Sequence, residues 1–88
     1  MSWWVYILHC SDNSLYTGIS TDPRRRLKQH NDGVGAKYTR SRRPVSIIYL
    51  EEQPSHSDAL SREIAIKKLN HTQKLALAKA YEQNIFSG

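Results

Sequence analysis

A phenol, a guanidinium and an imidazole are gathered within one short stretch, residues 15–30. The stretch begins with the aromatic, aliphatic and β-branched residues of a strand, and Tyr16 lies in it. Asp22-Pro23 then predicts a helix start, because aspartate caps free N–H groups and proline suits the first helical position. Arg26 and His30 are four residues apart and share one face of that helix. Such a set could handle a proton and hold negative charge, as phosphodiester hydrolysis requires.

Positive charge is concentrated directly around this stretch. The net charge is +5, and eight of the thirteen lysine and arginine residues lie within 24–43, where Asp32 is the only acidic residue. Two interpretations are open: a solvated basic face, or a surface that follows a phosphate backbone, with Tyr38 able to stack on a base. The candidate nucleic-acid-binding residues are Arg24, Arg25, Lys28, Lys37, Tyr38, Arg40, Arg42 and Arg43.

Several classes of protein fit the sequence poorly. The 88 residues suit a single domain, over 1–88, and the only cysteine is Cys10, so no internal disulfide can form and a cytoplasmic location is expected. The four histidines lack the spacing of zinc ligands. No apolar run is long enough to span a membrane, and no signal peptide is recognisable. No exposed apolar patch indicates a protein partner.

The pattern of elements predicts a small α+β fold. Apolar alternation and helical spacing give three strands and three helices: strands over 3–9, 15–19 and 45–50, and helices over 23–31, 56–69 and 72–83. We expect a short helical turn near 36–38, Ser55 and Asp58 as the candidates for the cap of the second predicted helix, and Thr72 as the cap of the last. The predicted order is β-β-α-β-α-α, a three-stranded antiparallel sheet flanked by helices.

Five residues in this pattern resemble the GIY-YIG nuclease superfamily, and in particular its small single-domain bacterial branch, the UPF0213 or YhbQ-like proteins. The two tyrosines lie in Val5-Tyr6-Ile7 and Tyr16-Thr17-Gly18, ten residues apart. Arg26 follows Gly18 by eight residues, and His30 by twelve. The tripeptides depart from Gly-Ile-Tyr and Tyr-Ile-Gly, but both retain the tyrosine. Glu63 lies on a later predicted helix.

The resemblance implies cleavage of phosphodiester bonds with one divalent metal ion, Mg²⁺ or Mn²⁺, and DNA as the expected substrate. It also implies a role for each residue. Tyr16 would help to activate water, and Tyr6 would orient it or share its proton network. Arg26 would stabilise the scissile phosphate, His30 would assist as a base or position the nucleophile, and Glu63 would hold the metal. The family fold agrees with the predicted order of elements.

Each of these residues also has a purely structural interpretation. The tyrosines could be ordinary sheet aromatics, Arg26 one member of a solvated charge run, and His30 a favourable cation near a helix C-terminus. Glu63 could pair with the lysine four residues further on. The functional alternative is a non-catalytic nucleic-acid-binding module on the same fold.

Overall fold

The computed structural model describes residues 1–87, with side chains over residues 1–83. Three strands and four helices follow one another: β1 (Trp3–His9), β2 (Leu15–Ser20), α1 (Pro23–Asn31), α2 (Lys37–Arg40), β3 (Ser46–Gln53), α3 (His56–Lys67) and α4 (His71–Ser87). The strands form one antiparallel sheet in the order β2-β1-β3. The predicted fold class, a three-stranded antiparallel sheet flanked by helices, is confirmed. No helix in the described part of the chain is both long and apolar enough to cross a membrane.

The central strand β1 is buried on both faces, because side chains alternate across a sheet and helices cover both sides. Val5 and Ile7 are fully buried against Ala59 and Ile66 of α3. On the opposite face Tyr6, Leu8 and Cys10 form a second cluster with Val45, and Leu27 of α1 packs against it. The candidate site therefore lies on the α1 side of the sheet.

The predicted start of α1 is confirmed. The Asp22 side chain accepts a hydrogen bond from the backbone N–H of Arg25 at 3.2 Å, and Pro23 occupies the first turn. The helix ends just before Gly33, whose φ of +81° lies in the left-handed region that favours glycine. The bounds of α1 match the predicted 23–31, so the side chains of Arg26 and His30 start from a well-defined backbone.

The predicted element order lacked α2. The expected turn near 36–38 is a four-residue helix, Lys37–Arg40. Side chains close by satisfy the carbonyls at its ends: the Thr39 hydroxyl donates to the Ala36 carbonyl at 3.0 Å, and the Arg42 guanidinium donates to the Tyr38 carbonyl at 2.8 Å. These local bonds extend a turn into a helix, and simple periodicity does not reveal them.

The prediction for the α4 cap was wrong in detail. Ser55 caps α3 as predicted, accepting from the Asp58 N–H at 3.1 Å. At α4, however, Asn70 replaces the expected Thr72. The Asn70 side chain accepts from the Gln73 N–H at 2.8 Å, and the Gln73 side chain accepts from the Asn70 N–H at 2.9 Å. This reciprocal pair satisfies two free donors, whereas a cap by Thr72 would satisfy one.

Candidate active site

Tyr6 and Gly18 face each other across the β1–β2 pair. A Cβ atom at position 18 would lie 2.5 Å from the Tyr6 hydroxyl oxygen and 2.6 Å from its ring carbon Cζ. Real Cβ atoms do not approach so closely, so any side chain at position 18 would displace the ring. Gly18 therefore allows the Tyr6 phenol to lie across the backbone of β2 and to reach α1.

His30 is fully buried and has polar partners at both ring nitrogens. Its Nε2 is hydrogen-bonded to the Tyr6 hydroxyl at 3.0 Å, and its Nδ1 to the Thr39 hydroxyl at 2.8 Å. The Thr39 hydroxyl donates to the Ala36 carbonyl, so it accepts from Nδ1–H, and Nε2 accepts from Tyr6; the Ala36 nitrogen lies 3.4 Å from Nδ1. A Cβ atom at Gly35 would lie 2.5 Å from Nδ1, so this glycine lets the loop before α2 close over the imidazole. The ring is thus fixed between β1 and α2.

Burial keeps both members of this hydrogen-bonded pair neutral. Desolvation, followed by the nearby Tyr16, raises the pKa of Tyr6 to about 12, and Arg26 opposes this rise. Desolvation, followed by the positive charge of Arg26, lowers the pKa of His30 to about 4. At neutral pH the pair is therefore a phenol bonded to an uncharged imidazole.

Tyr16 and Arg26 belong to the same part of the fold as the Tyr6–His30 pair. We call these four residues the tyrosine–histidine corner. The half-buried Tyr16 ring lies 5.3 Å from the His30 ring and 6.5 Å from the Tyr6 ring, centroid to centroid. Arg26 is also half-buried, and its guanidinium donates to the Gln29 side chain at 2.9 Å. Arg26 lies one helical turn before His30 on α1, and its positive charge lowers the pKa values of both His30 and Tyr6. The structure brings these four predicted residues together.

Glu63 lies on α3, which packs against the face of the sheet opposite Tyr6. Its negative charge contributes, after burial and Tyr16, to the raised pKa of Tyr6. Its side chain is 17% exposed and 3.5 Å from the ammonium of Lys67, a long ion pair with a 53% exposed partner. The described residues contain no group of three or more His, Cys, Asp or Glu that could hold a metal. A lone carboxylate that water can reach nevertheless suits Mg²⁺, which retains several waters and also takes phosphate oxygens.

The cations of the basic segment, residues 24–43, differ in their exposure and in their partners within the protein. Arg42 is half-buried and donates to the Asp12 carboxylate at 3.0 Å. Lys28 pairs with Asp32 at 2.7 Å but remains largely exposed. Arg43 donates to the Arg40 carbonyl at 2.8 Å. Six cations of the segment are exposed: Arg24, Arg25, Lys28, Lys37, Arg40 and Arg43.

Tyr38 lies in this segment, but its ring packs against other side chains of the protein. Its ring is stacked on that of Tyr16, with centroids 5.9 Å apart and an interplanar angle of 25°. The guanidinium carbon of Arg42 lies 3.9 Å from the centroid of the Tyr38 ring. Of the Tyr38 residue, 39% is exposed. The structure therefore joins Tyr38 to the tyrosine–histidine corner, a placement that its position in a charge run did not reveal.

Comparison with known proteins decides the family. A family model described as the GIY-YIG catalytic domain matches residues 2–76. The chain belongs to the GIY-YIG family. This is a nuclease-type family, and the resemblance inferred from the two tyrosine motifs is confirmed.

Relatives of this GIY-YIG chain are UPF0213 proteins. One from Desulfotalea psychrophila is 51% identical over 83 residues, which cover 93% of this chain and 76% of that protein. One from Streptococcus sanguinis is 51% identical over 81 residues, with 92% and 93% covered. The solution NMR structure of a UPF0213 protein from Bacillus halodurans has a TM-score of 0.58 at 42% identity, with 91% and 85% covered. That of a protein from E. faecalis has a TM-score of 0.63 at 43% identity, with 93% and 88% covered.

Two residues at the centre of this GIY-YIG site were missed by sequence reasoning. Thr39 is fully buried and holds the second nitrogen of His30. Nothing in its local sequence marks it, because its partner is nine residues away across an irregular loop. Gly35 could have been suspected, since a glycine can mark a close approach of backbone to another group. The sequence does not show that this group is His30.

Proposed function

We propose that this GIY-YIG chain is a divalent-metal-dependent endonuclease domain that hydrolyses phosphodiester bonds in nucleic acid, with DNA as its substrate. The observation that carries the proposal is the buried 3.0 Å bond between Tyr6 and His30, with the Tyr16 ring 5.3 Å from the His30 ring and the charge of Arg26 acting on both groups. A packed core does not require this arrangement, because two polar groups are buried where apolar side chains would fit. It does suit a site that must bind an anion and move a proton.

Tyr16 is the group that we assign to the attacking water. Tyr16 is half-buried, so more of its side chain is open to solvent than that of the buried Tyr6. A tyrosine accepts a proton from water only as its phenolate, so the phenol proton must first pass to solvent, and a positive charge nearby favours that ionised form. Arg26, whose charge reaches this corner, supplies it.

Tyr6 and His30 have a different role in the proposal. Both are neutral at physiological pH, and their hydrogen bond fixes the position of the phenol oxygen. We infer that this oxygen orients the water and shares its proton network. Arg26 binds the scissile phosphate, because a guanidinium offers several N–H donors in a fork that matches phosphate oxygens.

Glu63 is the residue that would hold the metal ion. Its carboxylate is accessible and only loosely paired with Lys67, so a cation can compete for it. A divalent cation, when bound, neutralises charge that develops on the phosphate and favours ionisation of water. Waters and phosphate oxygens of the substrate would supply the other ligands.

The exposed cations of the basic segment would bind the nucleic-acid backbone. They lie on α1, on α2 and in the loop after α2, the same segment of the chain that supplies Arg26 and His30. Contacts to phosphates position a nucleic acid without reading its sequence, so we propose little sequence preference. The buried free thiol of Cys10 is compatible with the cytoplasmic location that we propose.

A cleavage assay tests the proposal. Labelled single-stranded, duplex and branched DNA is incubated with the purified protein and Mg²⁺ or Mn²⁺. We expect Tyr16→Phe and Glu63→Gln each to lower the rate by about 100-fold or more, the scale of acid–base and metal contributions. Tyr49→Phe, on the opposite face of the sheet, and Glu82→Gln, exposed on α4, make the same chemical changes and should leave the rate unchanged.

Two results would contradict the proposal. Cleavage that survives both site substitutions would reject the assignment of Tyr16 and Glu63. Salt-dependent retention of DNA without products under any metal would instead favour the alternative, a binding module without catalysis. The departures of the two tripeptides from Gly-Ile-Tyr and Tyr-Ile-Gly are what keep that alternative in the test.

A further inference from the structure

Tyr16 lies on an edge strand, and an element from elsewhere in the chain holds its ring. The sheet order places β2 at the edge, so only one neighbouring strand supports it. The Tyr38 ring, from α2, is stacked on the Tyr16 ring at 5.9 Å with a 25° interplanar angle. This stacking restricts the ring positions that Tyr16 can adopt.

Arg42 holds Tyr38 in two ways. Its guanidinium carbon lies 3.9 Å from the centroid of the Tyr38 ring, within the range of a cation–π contact. One of its terminal nitrogens also donates to the Tyr38 carbonyl at 2.8 Å. A single side chain therefore fixes both the ring and the backbone of Tyr38.

Asp12, in the loop between β1 and β2, fixes the guanidinium in turn. It accepts from Nε of Arg42 at 3.0 Å, and from the backbone N–H of Ser14 at 3.0 Å. Hydrogen bonds from Ser14, and the charge of Arg42, hold the pKa of Asp12 below its usual range, so it is ionised at neutral pH. Ser11 donates from its backbone N–H and its hydroxyl to the Arg42 carbonyl, each at 2.9 Å. The hairpin loop thus binds Arg42 at both its side chain and its backbone.

We infer that Asp12, Arg42 and Tyr38 are positioning residues that hold the Tyr16 ring in place for the reaction. The inference rests on the proposed function, because it gives this chain of contacts a purpose only if Tyr16 acts on water. It also assigns Arg42 differently from its neighbours in the basic segment. The guanidinium is committed to Asp12 and Tyr38, so it is not one of the phosphate-binding cations.

Kinetics separate a positioning role from phosphate binding. Asp12→Asn and Arg42→Gln should lower kcat by about 10-fold and change KM by less than about twofold, because a displaced catalytic group slows chemistry without weakening binding. Tyr38→Ala should behave likewise, whereas Tyr38→Phe keeps the stacked ring and should restore kcat. A raised KM with unchanged kcat in Arg42→Gln would overturn the inference, because that is the result for a phosphate contact.

A structural readout tests the same chain of contacts without cleavage. In NMR spectra of the full chain, the Tyr16 ring signals should shift and broaden in Asp12→Asn and Tyr38→Ala. The matched control is Glu51→Gln, which neutralises a carboxylate that pairs with Arg62 at 2.8 Å, and it should leave those signals unchanged. Unchanged Tyr16 signals in all the variants would overturn the inference. If the wild-type protein cleaves no DNA, the proposed function fails, and the NMR result still tests the contacts.

Discussion

Acid should destabilise this protein through His30 before most carboxylates are protonated. The imidazole is fully buried, and burial together with Arg26 lowers its pKa from 6.5 to about 4. The unfolded chain therefore binds a proton at a pH where the native state does not. The stability that results is fully present above about pH 6.5 and is lost as the pH falls towards about 4.

The size of the effect follows from the two pKa values. Linkage gives a loss of about 2 kcal/mol in the free energy of unfolding between about pH 7 and about pH 4.5, since each pKa unit is worth about 1.4 kcal/mol. For a domain of this length, that loss corresponds to a decrease of roughly 10 °C in Tm. Glu51 and Asp12, whose pKa values are lowered, also weaken the fold in acid.

Urea denaturation of wild type and His30→Gln at about pH 7 and about pH 4.5 isolates the contribution of His30 to the loss of stability. Both proteins share the contribution of the carboxylates, so the wild type should lose about 2 kcal/mol more than the variant. His56→Gln, which removes an exposed histidine, is the matched control and should show the wild-type pH dependence. An NMR titration of the wild-type His30 ring gives the midpoint directly, even if His30→Gln folds poorly.

Two outcomes would refute this reasoning. One is the same loss of stability in wild type and His30→Gln, which would mean that the carboxylates carry the whole effect. The other is a midpoint near 6.5 in the titration of His30, the ordinary value for an unburied histidine. Either result would imply that the imidazole is protonated as readily in the native state as in the unfolded chain.

Three further substitutions test the contacts around the site. Gly18→Ala should cost about 1–3 kcal/mol in urea denaturation and lower the cleavage rate, because its Cβ would lie 2.5 Å from the Tyr6 hydroxyl. Thr39→Val should cost about 1–3 kcal/mol by removing the 2.8 Å partner of His30 Nδ1, while Thr39→Ser, which keeps the hydroxyl, should cost less. Lys37→Gln should reduce the slope of log affinity for duplex DNA against log salt by about 1, and an unchanged slope would remove this exposed lysine from the binding surface.

Local signals in the sequence predicted most of the fold. The helix start at Asp22-Pro23 and the cap at Ser55 were predicted because each depends only on neighbouring residues. The same reasoning failed at Asn70, since two reciprocal bonds outweighed the single one expected from Thr72. Spacing also indicated the site residues, because a strand and a following helix fix where Tyr16, Arg26 and His30 lie.

The remaining parts of the site depend on contacts between distant residues. The burial of His30 arises because Thr39, Gly35 and Ala36 close over it, and the intervening loop has no periodic pattern. The engagement of Tyr38 and Arg42 depends on Asp12, thirty residues before Arg42 in the chain. Composition alone placed Tyr38 and Arg42 on a nucleic-acid-binding surface. A run of charges in a sequence does not show which of its residues already have partners within the protein.

The alternation along β1 has a consequence for the proposed activity. Val5 and Ile7 belong to the hydrophobic core, whereas Tyr6, between them, belongs to the proposed active site. A slip of β1 by one residue would exchange these two faces, so misregistered molecules would lose their packing and their chemistry together. Any activity of the proposed site should therefore be lost whenever the packing of β1 is lost.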